Sequence, residues 1–592
     1  MKNNSYTTKR KTATSKVTLF FCIIFLLFAF VDTKAKAATI SENKNFLVDS
    51  SYDYSDRSQV QASLKKINLN GYFYVENDYY NSLSNAQKNE FDLNLDLLAS
   101  DFDDTIYPRM RNIFGTEWNP GIDNDSKITI LFTRTKENVG GYFNPNDEYS
   151  KDVIVSKKSN EREMIYLNIL FIDDERIKSF LAHEFQHMIT WYNKNKLNNI
   201  SDNIWLNEAR SEYASTAIGY DDNYNVSNLK ARISGFKTNP VDSITEWQNK
   251  IHDYSSVNLF SQYLTDQFGE NIFRIMISNN KIGIESINNA LSTFNQGETF
   301  RSVFESWSVA NYLNDATISS DGKYGYKNFN INYENFHIST QNQFTVDDSE
   351  INISSSMKDW TGEYYEFKII DKQYGAKDKI KINFTGEVSG KYSVPYVVFY
   401  KNGEKKVEYL NSGSDQDYNN SISLSDNNVS SFTVIPISYK NSTSFGSDID
   451  SYSFSLSVDI VNNSIFANNS LLKSNNNSKV YLIEGSNKRW INSVDSFISN
   501  GYKWEDILIV TDYELSQYQK GEDIVVKINS NSNFNGSLFK SLTDSKVYLI
   551  EDNNKRWINS VQSFVSNGYN WKNIVIVTDY ELTQYQSGAD IS

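Results

Sequence analysis

The sequence predicts a multidomain α+β protein: a mixed helix and strand domain over 58–318, an all-β sandwich over 351–465, and two small α+β tandem repeats over 478–526 and 545–592. Three observations carry this. Up to Ala316, apolar strand-like runs such as Ile128 to Phe132 and Met164 to Leu167 alternate with long amphipathic helix patterns. Between Ile351 and Val461, short alternating runs such as Glu363 to Phe367 and Tyr396 to Tyr400 recur between turn residues at spacings of about ten. Finally, Ser478 to Ile524 aligns without gaps on Ser545 to Ile591 at a period of 67, with 36 of 47 positions identical.

The N-terminus differs from all of this. Lys2, Lys9, Arg10, Lys11 and Lys16 form a basic head, Val17 to Val31 is almost wholly apolar, and Ala35-Lys36-Ala37 follows. This is the pattern of a secretory signal peptide over 1–37, and fifteen apolar residues fall short of the ~20 that span a bilayer. The expectation is a secreted, extracellular chain beginning at Ala38, with no transmembrane segment in its mature form.

Cys22 is the only cysteine, so the mature chain has no disulfide or thiolate ligand, which fits a bacterial exoprotein that relies on hydrophobic cores. The formal charge of −15 becomes −21 once seven basic residues and Asp32 leave with the signal peptide. Such a surface repels nucleic acid phosphates and anionic membranes. Residues 38–57 are too few for a folded inhibitory prodomain and are expected as a short propeptide or N-terminal arm. Two polar stretches, 319–350 and 527–544, read as linkers.

The chemistry concentrates in Phe180-Leu181-Ala182-His183-Glu184-Phe185-Gln186-His187-Met188. On a helix, positions four apart share a face, so His183 and His187 can present two imidazoles to one Zn2+ while Glu184 reaches a metal-activated water. Ile177, Leu181, Phe185 and Ile189 form the inward stripe of that helix, and the histidines lie off it. With four histidines in the chain, a chance match has a probability of roughly one in a thousand.

A catalytic zinc needs three protein ligands and an open position. Thr190 and Asn193 stand where a metzincin has Gly and His, and His252 and His337 are distant in sequence. Glu208, 21 residues after His187, is the best third ligand, because a second helix can return antiparallel and put Glu208 and Glu212 on one face.

His183-Glu184-Phe185-Gln186-His187 with Asn207-Glu208-Ala209-Arg210-Ser211-Glu212 resembles the gluzincin zinc metallopeptidases, most closely the hyicolysin-like family, over roughly residues 60–315. Asn124 to Phe132, Gly140-Gly141-Tyr142-Phe143 and Phe304-Glu305-Ser306-Trp307 belong to the similarity. It implies a gluzincin-type catalytic domain with one catalytic Zn2+ on His183, His187 and Glu208, Glu184 as general base, and protein or peptide substrates. It further implies Glu212 orienting His183, Asn207 holding the other imidazole, and Tyr254 as oxyanion donor with His252 as second candidate. By analogy Met164 to Asn168 is the edge strand beside the cleft; the residues alone fit a buried structural strand equally.

Phosphate-binding glycine loops, serine-nucleophile elbows and EF-hand spacing are absent from the sequence. Asp123 with Asp125, and Asp448 with Asp450, suit either Ca2+ or acidic turns. The β-region resembles sandwich modules of secreted bacterial peptidases, and the repeats resemble modules of other secreted bacterial proteins. Trp490, Trp504, Trp557 and Trp571 are expected in the repeat cores rather than stacked on cell-wall or surface glycans. The leading reading is a secreted zinc endopeptidase with C-terminal targeting modules; the alternative is a non-catalytic adhesin that keeps a structural zinc site, for which Glu184 would be superfluous.

Overall fold

The computed structural model describes residues 39–592 apart from 155–157, 295–296, 341, 348, 372–373, 375–377, 425–427, 441–448, 462–465 and 528–532. The expected signal peptide and Asp448 lie outside the described residues. Among them, no helix is long and apolar enough to cross a membrane.

Six strands make the first sheet: β1 (Asn43–Leu47), β2 (Gln59–Ile67), β3 (Gly71–Glu76), β4 (Ile128–Thr133), β5 (Gly141–Phe143) and β6 (Met164–Asn168). Their order is β1-β2-β3-β4-β6-β5, with β3, β4 and β6 parallel and the other pairings antiparallel. The parallel strands read as continuous apolar runs because both faces are covered. With a side-chain period of two, Phe73, Ile130, Phe132, Ile165 and Leu167 enter the main core, while Tyr72, Tyr74, Leu131, Met164 and Tyr166 fill a second cluster on the opposite face.

Helices α1 (Asn77–Ser82), α2 (Asn85–Asp101) and α3 (Tyr107–Phe114) connect β3 to β4. A reciprocal capping box between Ser84 and Gln87 starts α2, and Gly115, at φ 108°, ends α3. After β6 come α4 (Arg176–Thr190), α5 (Ile204–Glu212), α6 (Ala214–Ala217), α7 (Asn228–Thr238) and α8 (Ile251–Phe268). The arm over 38–57 is built into this domain. Its strand β1 pairs with β2, and Arg57 bridges Asp53 at 2.8 Å and Glu76 at 2.6 Å.

Downstream, two five-stranded sheets enclose one apolar core, with the long strand Ser451–Val461 in the second of them. The stretch expected as a linker over 319–350 is not a free connection: Tyr326, Ile331 and Phe336 are buried in the main core, and Asn342–Val346 is an edge strand parallel to Tyr365–Ile369. Its aromatic residues override its polar composition. Trp360 packs 4.5 Å from Phe300, and the Tyr364 hydroxyl donates to the Ser308 carbonyl at 3.0 Å, joining the sandwich to the helical part of the preceding domain.

Each repeat is a small five-stranded sheet of identical order whose first strand, Leu471–Ser474 or Leu538–Ser541, lies ahead of the 478 and 545 starts. The tryptophans are not core residues. Trp504 and Trp571 are 56% and 52% exposed, each with one face on Phe497 or Phe564, because leucine, isoleucine and phenylalanine fill the small cores.

Candidate metal centre

Helix α4 buries Ile177, Leu181, Phe185 and Ile189, which turns His183 and His187 toward α5. The two Nε2 atoms face each other at 3.1 Å. Helix α5 brings Glu208 to 3.2 Å from His183 Nε2 and 3.6 Å from His187 Nε2, and one ligand atom from each of the three lies within 4.8 Å of the others. Glu208 Oε2 is buried, and α5 aims it at the imidazoles. Two imidazole nitrogens and a buried carboxylate oxygen turned toward one point are the donor set a zinc ion takes, so these residues fit the metal.

The protonation pattern says the same. Burial opposes charge on His183, yet Glu208, Glu184 and Glu212 outweigh it and hold this imidazole up at about 9. Burial and the neighbouring His183 hold His187 down at about 4. Burial pushes Glu184 up to about 7, with the Phe143 backbone amide favouring its charged form.

Further residues hold the ligands. The Gln186 amide donates to Thr190 Oγ1 at 2.9 Å, leaving its Oε1 to accept from Ser211 at 2.6 Å. Ser211 Oγ, its proton committed there, stands 3.1 Å from His187 Nδ1 and accepts from it, which leaves Nε2 bare as a ligand atom. Ser211 thus joins Asn207, the residue expected at this imidazole, whose side chain also interacts with His187. Glu212 Oε1 faces His183 Nδ1 at 3.7 Å, and Arg232 grips Glu212 at 2.6 and 2.9 Å while Asn228 donates at 3.0 Å.

Tyr254, in the first turn of α8, packs against Trp247 and under Arg232, and its hydroxyl donates to Asn249 at 2.6 Å rather than to the triad. Burial, with Glu208 and Glu212 next, raises its phenol pKa. His252 sits 3.5 Å from Thr238 and belongs to no metal-ligand group.

The edge strand beside Glu184 is β5, and β6 is the buried strand between β4 and β5. A Cβ on Gly141 would stand 3.2 Å from Glu184 Cγ and 2.8 Å from the Tyr166 carbonyl oxygen, and one on Gly140 would overlap the Phe180 ring at 2.6 Å. The glycine pair thus lets the edge lie directly on α4. Tyr52, from the N-terminal arm, stacks on Tyr142 of β5 at 4.8 Å, and its phenol is raised by burial and by carboxylates that include Glu184 and Glu208.

Of the residues not anticipated, Ser211 was legible: it sits one turn beyond Asn207 and Glu208 on the same helix. Arg232, Asn228 and Tyr52 arrive from other elements and left no local pattern.

No family model matches this chain. It is similar to the neutral metalloprotease ShpI of Staphylococcus hyicus, 28% identical over 220 residues, which are 33% of this chain and 47% of that protein. The chain thus spans about half the length of that curated relative. Among solved structures, the pre-peptidase C-terminal domain of a Bacillus anthracis collagenase aligns over 20% of this chain and 93% of its own at 12% identity and a TM-score of 0.15. The lysozyme inhibitor PliG of Aeromonas hydrophila aligns over 20% and 96% at 10% identity and a TM-score of 0.14. Scores this low assign no fold. The curated similarity supports a metallopeptidase.

Proposed function

We propose that this chain is a secreted zinc-dependent endopeptidase of the gluzincin type, acting on extracellular proteins. The observation that carries the proposal is the convergence of His183, His187 and Glu208 beside a buried Glu184. A zinc ion bound there supplies Lewis acidity toward water and a peptide carbonyl. Glu184 takes the proton of the attacking water on its carboxylate and returns it to the leaving amine. Ser211 fixes the tautomer of His187, and Glu212, held by Arg232, faces the far nitrogen of His183.

The free edge of β5 takes an extended peptide as a further strand, and the close packing of Gly141 on Glu184 sets the scissile bond beside the base. Nothing in this groove requires a chain terminus, which favours internal cleavage. Tyr254, protonated because burial and nearby carboxylates disfavour its phenolate, is the donor assigned to the developing oxyanion, ahead of His252. The repeats, with Trp504 and Trp571 each offering an open ring face, are assigned to surface or glycan attachment.

Casein digestion by the mature chain and by Glu184→Ala, each with and without chelator and added Zn2+, tests the proposal. The mature chain is expected to digest casein, to stop on chelation and to recover with zinc, while Glu184→Ala binds zinc and stays inactive. Equal activity in both proteins overturns it.

A further inference from the structure

The strand edge assigned above to substrate carries a fixed aromatic ring. Consecutive residues of β5 face opposite sides of the sheet, so Gly141 lies against Glu184 of α4 while Tyr142 stands on the far face, in the second apolar cluster. There Tyr142 stacks on Tyr166, its partner across the sheet in β6, with ring centroids 4.2 Å apart and ring planes at 8°. Tyr52 stacks on Tyr142 at 4.8 Å and 27°. Since Tyr166 already covers one face of Tyr142, Tyr52 takes the other, which looks outward past β5. The three rings form a ladder whose last rung lies one strand spacing beyond the sheet, neighbouring strands standing about 4.8 Å apart.

That rung comes from the turn between β1 and β2, and the turn is pinned. The Asp49 amide donates to the Tyr142 hydroxyl at 3.2 Å, the Tyr52 amide to the Asp49 carbonyl at 3.1 Å, and the Lys136 amide to the Tyr52 carbonyl at 2.9 Å. Asp53 closes the same turn, its carboxylate accepting from the Ser55 and Arg57 amides at 3.0 and 2.9 Å and its backbone bridging to Thr135. Tyr52 nevertheless stays 42% exposed. After burial and Asp49, the charges that act on its phenol are those of Glu184 and Glu208, so the ring borders the zinc centre.

We infer that Tyr52 is a size filter of the substrate groove, holding one position of a bound peptide to a small side chain. The inference rests on the peptidase reading and on a peptide that joins the edge of β5. A strand added there continues the pleat, so its residue opposite Tyr142 sends a side chain to the face on which Tyr142 stands, one strand spacing outward. The Tyr52 ring fills that place. Glycine or alanine opposite Tyr142 leaves the ring where it is, whereas leucine or phenylalanine overlaps it, and the turn yields only by breaking the contacts that pin it. The substrate residues on either side face Glu184, so the filtered position lies close to the scissile bond. The segment expected as a propeptide or arm thus takes part in choosing the substrate.

The test uses the full mature chain loaded with zinc and a peptide series in which each residue near one cleavage site is set in turn to Gly, Ala, Leu or Phe. At one position the parent is expected to favour Gly and Ala over Leu and Phe by about tenfold or more in kcat/KM. Tyr52→Ala should shrink that ratio by about tenfold, Tyr52→Leu should give an intermediate ratio, and Tyr52→Phe, which keeps the ring, should keep the ratio. Binding of the same peptides to Glu184→Ala protein, read by fluorescence anisotropy, should follow the same order, with zinc content and melting curves reporting that each variant is folded. An active parent whose selectivity is unmoved in Tyr52→Ala and Tyr52→Leu overturns the filter alone. So does a Tyr52→Phe chain that behaves like Tyr52→Ala, which would give the effect to the hydroxyl. A zinc-loaded parent that cleaves neither casein nor any peptide overturns the peptidase reading and the filter with it.

Discussion

The two ends of β6 bury acids under opposite conditions. Past its C-terminal end, Glu212 is 2% exposed but gripped by Arg232 and Asn228, and Glu208 faces two imidazoles. At its start, Glu148 is as deeply buried, and its neighbour is another acid, Glu163. A buried carboxylate with a fixed cation partner stays charged and in place, whereas one facing only another carboxyl is pushed toward its protonated form. The contrast separates acids held by a cation from acids that hold a proton.

The largest expected effect falls at the paired end. Glu184→Gln should lower kcat/KM by about 10²–10⁴-fold while zinc content stays at one per chain, because general-base action alone is removed. Glu163→Gln should leave kcat/KM within about twofold, since it touches none of His183, Glu184, His187 and Glu208. Parallel assays on one peptide substrate check both. Similar losses in the two variants would erase the distinction between the ends.

Next in size is a pair of stability changes with opposite sign. Arg232→Met strands Glu212 in the interior, and breaking a buried pair from one side costs about 3–5 kcal/mol. Glu148→Gln removes the like-charge repulsion that builds on the buried pair as Glu163 ionises and should raise the melting point at pH 8. Urea and thermal unfolding of the catalytic domain, read at one pH, decide whether the signs differ.

The grouping of His183, His187 and Glu208 was legible from sequence because its information is local. The His183 and His187 spacing lies within one helix, and Glu208 and Glu212 lie within the next. The strand expected at Val480 to Glu484 is likewise the strand observed. What escaped was non-local. The edge strand β5 has three residues, too short to show alternation, and its place is set by Gly140 and Gly141 against α4. Asn342–Val346 is polar enough to pass for linker, yet Tyr365–Ile369 gives it a partner. Arg232 meets Glu212 across 20 residues, and Glu148 meets Glu163 across a turn, spacings that carry no periodic signal.

A smaller effect separates Ser211 from the residues beside it. Ser211→Ala should reduce zinc affinity by about 10–100-fold, the usual cost of losing a partner that orients a ligand imidazole, with the fold intact. Competition with a chromogenic chelator reads this directly. Asn207→Ala, which removes a second and less well aligned contact to the same imidazole, should cost less, and the reverse order would give Asn207 the leading role.

The smallest effect is a slope with pH at the unpaired end. Glu163 at about 7 and Asp147 at about 6 are both raised by burial above their unfolded values, so the folded protein keeps protons that the unfolded chain releases. Their contribution is complete below about pH 4 and is lost as pH rises through about 6 to 7. Asp53 and Glu76 remain lowered despite their burial, chiefly through Arg57, and act in the opposite sense; their stabilisation disappears only as pH falls below about 4. The window from pH 5 to 8 therefore isolates the raised group. The protein should melt a few degrees lower at pH 8 than at pH 5. Asp221 and Asp242, also raised to about 6 by burial, and Glu184, raised to about 7, share that trend, so the variant makes the assignment. Glu163→Gln should flatten the upper part of the slope. A slope indifferent to that change would put the titrating group elsewhere.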